Sequence, residues 1–109
     1  MNITNLVNII KDNLLQSKQT ISVAESVTAG LLQSVISSGE NASLFFQGGI
    51  TVYNLGQKCR HLSIDPIHGS DCNCVSEKIS QDMALNVCKL FISDWGDCYY
   101  WLCYTSTRI

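Results

Sequence analysis

The sequence predicts an α/β fold, with helices layered around a largely parallel or mixed sheet. Apolar residues recur at helical spacing in several segments, and short β-branched runs lie between them. No repeat, low-complexity tract or linker interrupts the order α-β-α-β-α-α. With 109 residues, 46% of them hydrophobic and 15% charged, the chain fits one compact domain.

Ile3, Leu6, Val7, Ile10 and Leu14 build one apolar stripe, which predicts a first helix ending in the polar stretch QSKQ. Residues 20–24, TISVA, are β-branched and followed at once by polar turn formers, the pattern of a buried strand. A second helix carries Ala29, Leu32, Val35 and Ile36 on one side and stops at SSG, where Gly39 suits a left-handed cap. The next strand, 48–53, opens on paired glycines that suggest a bend or a close backbone approach, and Asn54 and Gly56 end it. A short helix over 57–62 leads into DPIHGSD, read as loop. Ser76 then caps a long helix through Ile79, Met83, Val87 and Leu90, closed by Gly96.

A net charge of −2, with seven Lys and Arg residues scattered along the chain, supplies no basic face for a phosphate backbone, so nucleic acid is not an expected partner. The N-terminal segment lacks the positive start and unbroken apolar core of a signal peptide, and nowhere do eighteen apolar residues run together. A cytoplasmic location without membrane contact is expected, with the six cysteines as reduced thiols and Cys88 in the core.

The stretch VAESVTAGLL, 23–32, places Ser26 and Thr28 on the turn where a strand hands over to a helix. Free backbone N–H groups at such a turn bind anions and serve as oxyanion donors beside an exposed hydroxyl. A hydroxyl there equally caps the helix, with Glu25 near its positive end. Lys58 follows the second strand, and parallel neighbouring strands would bring its loop beside Ser26. A lysine kept neutral by desolvation can take a serine proton, although most lysines are solvated surface groups. Tyr53 and Asn54 read either as packing and turn chemistry or as a ring-stacking, amide-recognising pair.

AESVTAG resembles the A-E-S-C-T-G-G signature of the CinA C-terminal family, the nicotinamide-mononucleotide amidohydrolases. NASLFFQGGITVYNLGQKCRHL is similar to that family's G-S-S-x-x-F-x-G-G-x-x-T-Y-S-N-x-x-K segment, and CVSEKISQDMA to its A-V-S-E-x-x-x-x-x-M-A helix start. The resemblance covers about 20–96. It implies a catalytic pair of Ser26 and Lys58, with Glu25, Thr28, Gly30, Tyr53, Asn54 and Ser76 at the substrate. The implied reaction hydrolyses the carboxamide of nicotinamide mononucleotide to the acid and ammonia, with no cofactor and no metal. A non-catalytic relative that binds only a pyridine nucleotide or a partner protein is the alternative. Val27 stands where the signature has cysteine. Ala29 replaces its first glycine, and that methyl group could oppose a left-handed backbone or crowd a ligand.

Zinc offers a third reading, because CRHLSIDPIHGSDCNC gathers Cys59, His61, His68, Cys72 and Cys74. Cys72 and Cys74 are separated by a single residue and match no standard finger, so plain thiols and a turn are expected instead.

Beyond LFISDWG the family pattern continues I-x-I-T-G-x-A-x-P, whereas this chain reads DCYYWLCYTSTRI. One permitted choice of codons for 97–107, read a nucleotide later, translates to IAITGYATPV; Trp101, with its single codon, forces the glycine of T-G in that frame. Residues 1–96 are expected to be the N-terminal part of an incomplete CinA C-terminal-like domain, and 97–109 a frameshifted tail. Tyr99, Tyr100 and Trp101 are expected to extend as a substitute strand. Missing sheet neighbours would expose apolar faces, so a homo-oligomer is expected. Sequencing the gene across the Gly96 codon should show the family motif resuming in the next frame; repeated reads without that continuation would refute the shift.

Overall fold

In a computed structural model, which describes residues 3–71, 76–98 and 101–104, the chain runs α1 (Ile3–Ser17), β1 (Ile21–Glu25), α2 (Leu31–Ser37), a 3-10 turn (Ala42–Leu44), β2 (Phe46–Thr51), α3 (Leu55–Leu62), α4 (Pro66–Asp71), α5 (Glu77–Phe91), β3 (Trp95–Cys98) and β4 (Trp101–Tyr104). The strands form one sheet in the order β2-β1-β3-β4. β1 lies parallel to both β2 and β3, and β4 closes the far edge antiparallel to β3. The expected α/β class, with a parallel sheet between helices, is what the chain adopts. Trp101 does join a terminal strand, β4; Tyr99 and Tyr100 lie outside the described residues.

β1 is buried along its whole length because helices cover both of its faces, which is why its sequence is nearly all apolar. Ile21 and Val23 face a cluster with Val7, Leu14, Ile36 and Phe45 from α1, α2 and the 3-10 turn. Ala24 faces the opposite cluster, where Val52, Leu62, Ile64, Ile79, Met83, Val87 and Cys98 join α3, α5 and β3. The polar residues of this region are all paired. Ser22 Oγ lies 2.6 Å from Ser93 Oγ, and Asp94 Oδ2 accepts from the Thr20 amide at 2.8 Å, so the entrances of β1 and β3 are fastened together.

Several local expectations are corrected. Ala29 is not part of α2 but precedes it in the left-handed region, at φ 53°. Gly39 takes no left-handed conformation; α2 ends on Ser38 in the right-handed region. DPIHGSD is not loop, since Pro66 occupies the first turn of α4 and Asp65 Oδ1 accepts from the Ile67 amide at 3.0 Å, a start signal that Asp-Pro itself carries. Leu6 and Leu90 are half-exposed rather than core. Gly96 does not close α5: that helix ends at Phe91 with Ile92 left-handed, and Gly96 sits inside β3.

A Cβ on Gly96 would stand 1.9 Å from the Ala84 carbonyl oxygen and 2.7 Å from Cys88 Cβ, so only glycine lets α5 lie this close to the sheet. Among the described residues no three His, Cys, Asp or Glu side chains gather as a metal site requires; Cys72 and Cys74 lie outside them. Gly96→Ala is expected to cost about 3 kcal/mol or more, since the clash is with helix backbone. Urea unfolding measures this, and a variant of unchanged midpoint would contradict the packing described.

Candidate active site

Three helix starts converge where β1 and β2 end. β1 pairs with β2 up to Glu25↔Thr51, and the Val52 amide then donates to the Glu25 carbonyl at 2.8 Å, holding the two exits side by side. α5 precedes β3, which runs parallel to β1, so its N-terminus with Ser76 returns to this same end of the sheet.

Glu25 is 2% exposed, and its carboxylate is turned onto the start of α2. One oxygen accepts from Thr28 Oγ1 and the Leu32 amide, each at 2.8 Å; the other accepts from the Gln33 amide at 2.9 Å. Gly30 at the N-cap has no side chain to do this, so a strand residue caps the helix from outside. Burial pushes the carboxyl up, but the bonds from Gln33, Leu32 and Thr28 outweigh it and hold the group below its ordinary value.

The link between Glu25 and α2 is a tight loop. The Ala29 amide bonds to the Ser26 carbonyl at 3.0 Å, and the chain then passes through Ala29 at φ 53° and Gly30 at φ 108°. The Ala29 methyl does not prevent the left-handed turn; it adds a strain of roughly 1–2 kcal/mol. A Cβ on Gly30 would meet nothing within 4 Å, so glycine is needed there for its backbone alone. The amides of Val27, Thr28 and Gly30 have no acceptor among the described residues.

On the facing loop, Asn54 Oδ1 accepts from the Gln57 amide at 3.0 Å and caps α3. Lys58, one turn in, folds its side chain back over the strand ends and is 4% exposed. Its Nζ donates to Ser26 Oγ at 2.9 Å and to the Tyr53 carbonyl at 3.3 Å. Ser26 Oγ stands 3.4 Å from that same carbonyl. The hydroxyl and the amine, thirty-two residues apart in sequence, thus touch.

The other expected site residues divide into two groups. Tyr53 is 68% exposed and meets the Ser26–Lys58 pair through its backbone carbonyl. Asn54 and Ser76 are occupied as caps, Ser76 accepting from the Ile79 amide at 3.0 Å, and Glu25 and Thr28 bond to each other inside the loop. Sequence reading missed two participants. His68 Nε2 lies 3.0 Å from Ser76 Oγ, a contact that follows from α4 being helical. Asp97, in β3 opposite Val23, shares a sheet face with Glu25.

Burial first, and the charge of Glu25 second, push the Asp97 carboxyl up from 3.8 to about 7. The folded chain thus keeps a proton that the unfolded chain releases, so this group's contribution to stability falls as pH rises through that interval and stays low above it. Asp97→Asn should therefore gain stability relative to the parent between mildly acidic and mildly alkaline buffer, read by urea unfolding at each pH. A difference that is flat with pH would refute this.

The model of the CinA C-terminal domain family matches residues 3–97. A CinA-like protein of Rippkaea orientalis is 37% identical over 91 residues, which is 84% of this chain and 22% of that protein. A putative competence-damage inducible protein of Streptococcus pneumoniae is 37% identical over 93 residues, 85% of this chain and 22% of its own length. The chain therefore spans about a fifth of the curated relatives it matches. The crystal structure of a CinA superfamily protein from Escherichia coli superposes with a TM-score of 0.81 at 26% identity, covering 86% of this chain and 55% of that one. One from Enterobacter cloacae gives 0.82 at 24% identity, a likeness of fold. With both its sequence and its sheet accounted for in this way, the chain belongs to the CinA C-terminal domain family.

Proposed function

We propose that the cleft belongs to a Ser/Lys amidohydrolase whose substrate is the carboxamide of nicotinamide mononucleotide. The observation that carries the reading is the 2.9 Å contact between Lys58 Nζ and Ser26 Oγ at paired strand exits. A serine hydroxyl is a weak nucleophile until a neighbouring base takes its proton. With Lys58 unprotonated, Ser26 Oγ attacks the carboxamide carbon while its proton passes to Nζ. The tetrahedral oxyanion is met by the amides that follow Ser26, of which Val27 and Thr28 have no acceptor among the described residues. Lys58 returns the proton to the departing nitrogen and ammonia leaves. Water then repeats the sequence on the acyl-serine, forming the acid and restoring Ser26.

Supporting roles follow from the same bonds. Glu25 and Thr28 fix the loop that carries Ser26, and Tyr53 offers an exposed ring for a pyridine to stack on. Asn54 and Ser76 set the helix starts on the two remaining sides.

Ammonia release from nicotinamide mononucleotide tests the reading, measured on this chain and on a frame-restored chain. Ser26→Ala and Lys58→Met should each lower the rate by at least about 10²-fold, the usual worth of a positioned proton-transfer group. An active protein in which Ser26→Ala works equally well would overturn the assignment. Nucleotide binding without any ammonia release would point instead to a non-catalytic binding module.

A further inference from the structure

The Lys58 amine is a buried basic group with no acidic side chain bonded to it among the described residues. Its two hydrogen-bond partners, the Ser26 hydroxyl and the Tyr53 carbonyl, are neutral. All nine acidic side chains lie among the described residues, and the salt bridge found there joins Lys78 to Asp82. Glu25, the acid nearest along the loop, turns away onto the amides of Leu32 and Gln33. Lys58 itself is 4% exposed, so the amine is withdrawn from bulk water. A positive charge formed at Nζ is therefore held in a buried position against neutral dipoles, where an anion within reach is attracted more strongly than in water.

We infer that the Ser26–Lys58 cleft accepts the carboxylate of an aromatic acid, so that the acid produced by amide hydrolysis pairs with Lys58 and competes with the next amide. The origin of the acid rests on the amidase reading above; the pairing itself does not. In the last step the water oxygen bonds to the acyl carbon, the acyl–Oγ bond breaks and Ser26 regains its proton by way of Lys58. The carboxylic acid then gives its own proton to Nζ, leaving a carboxylate against an ammonium group. The amide that entered carried no charge at that atom, so the ion pair is made only with product. Lys58 must lose the added proton before it can take another from Ser26, which couples product release to resetting of the base.

Calorimetric titration of the Ser26→Ala protein with nicotinamide mononucleotide and with nicotinic acid mononucleotide tests the pairing. The two ligands differ only in the ring substituent, so their affinity ratio reports that position alone. The acid should bind at least about ten-fold tighter at low salt, the lower end of what close charge pairs contribute. The ratio should shrink as salt is added and fall to within about two-fold when Lys58→Met is combined with Ser26→Ala. Equal affinities, absence of binding by both ligands, or a ratio indifferent to salt would each overturn the inference, and the salt arm needs no Lys58 variant to fold. Acid preference without ammonia release by the unsubstituted chain would leave the pairing standing and remove the amidase reading. Ammonia release without acid preference would do the reverse.

Discussion

Parallel pairing of β1 with β2 is the constraint on which the cleft depends. Two parallel neighbours end at the same edge of a sheet, so whatever follows each of them is delivered to one place. Here the ladder runs to Glu25↔Thr51 and is carried one bond further by the Val52 amide. The next residues on either side are Ser26 and Tyr53, and a single turn of α3 brings back Lys58. An antiparallel arrangement of the same strands would have sent the serine and the lysine to opposite ends of the molecule.

Glu25 shows how a carboxylate one residue before the serine can leave the lysine unpaired. Its three donors come from its own loop and from the first turn of α2, and they satisfy it completely. The negative charge is spent on the positive end of a helix, where it stabilises structure, and the Lys58 amine stays available for chemistry. Among the described residues Asp97, on the same sheet face, has no such partners. It sits where burial and the Glu25 charge both oppose its ionisation.

The parts of this arrangement that periodicity governs were legible in the chain. The alternation of apolar runs marked β1, β2 and α5, and Asn54 and Ser76 stood where caps belong. Its place after the second strand made Lys58 a candidate among seven basic residues, and resemblance of motifs favoured it over a solvated surface lysine, because burial of a lysine depends on tertiary folding that no local pattern encodes. The errors are equally specific. Ala29 read as helix because alanine favours helices, whereas the cap supplied by Glu25 forces the turn before Leu31. α4 was hidden by a glycine and a proline inside a six-residue helix. Gly96 resembled a helix terminator, yet its function is to admit α5 against the sheet, a close approach visible only in three dimensions.

The polar fastening at the opposite end of the sheet gives the molecule a mechanical polarity. At the strand entrances Thr20, Ser22, Ser93 and Asp94 are buried and bonded to one another across more than seventy residues of chain. At the exits the bonds are made by the buried Glu25, Val52 and Lys58, while Tyr53 and Val27 beside them are exposed. That clamp ties β1 to β3, whereas the two loops of the cleft follow β1 and β2, so their spacing is set by the ladder up to Glu25↔Thr51 and not by the clamp.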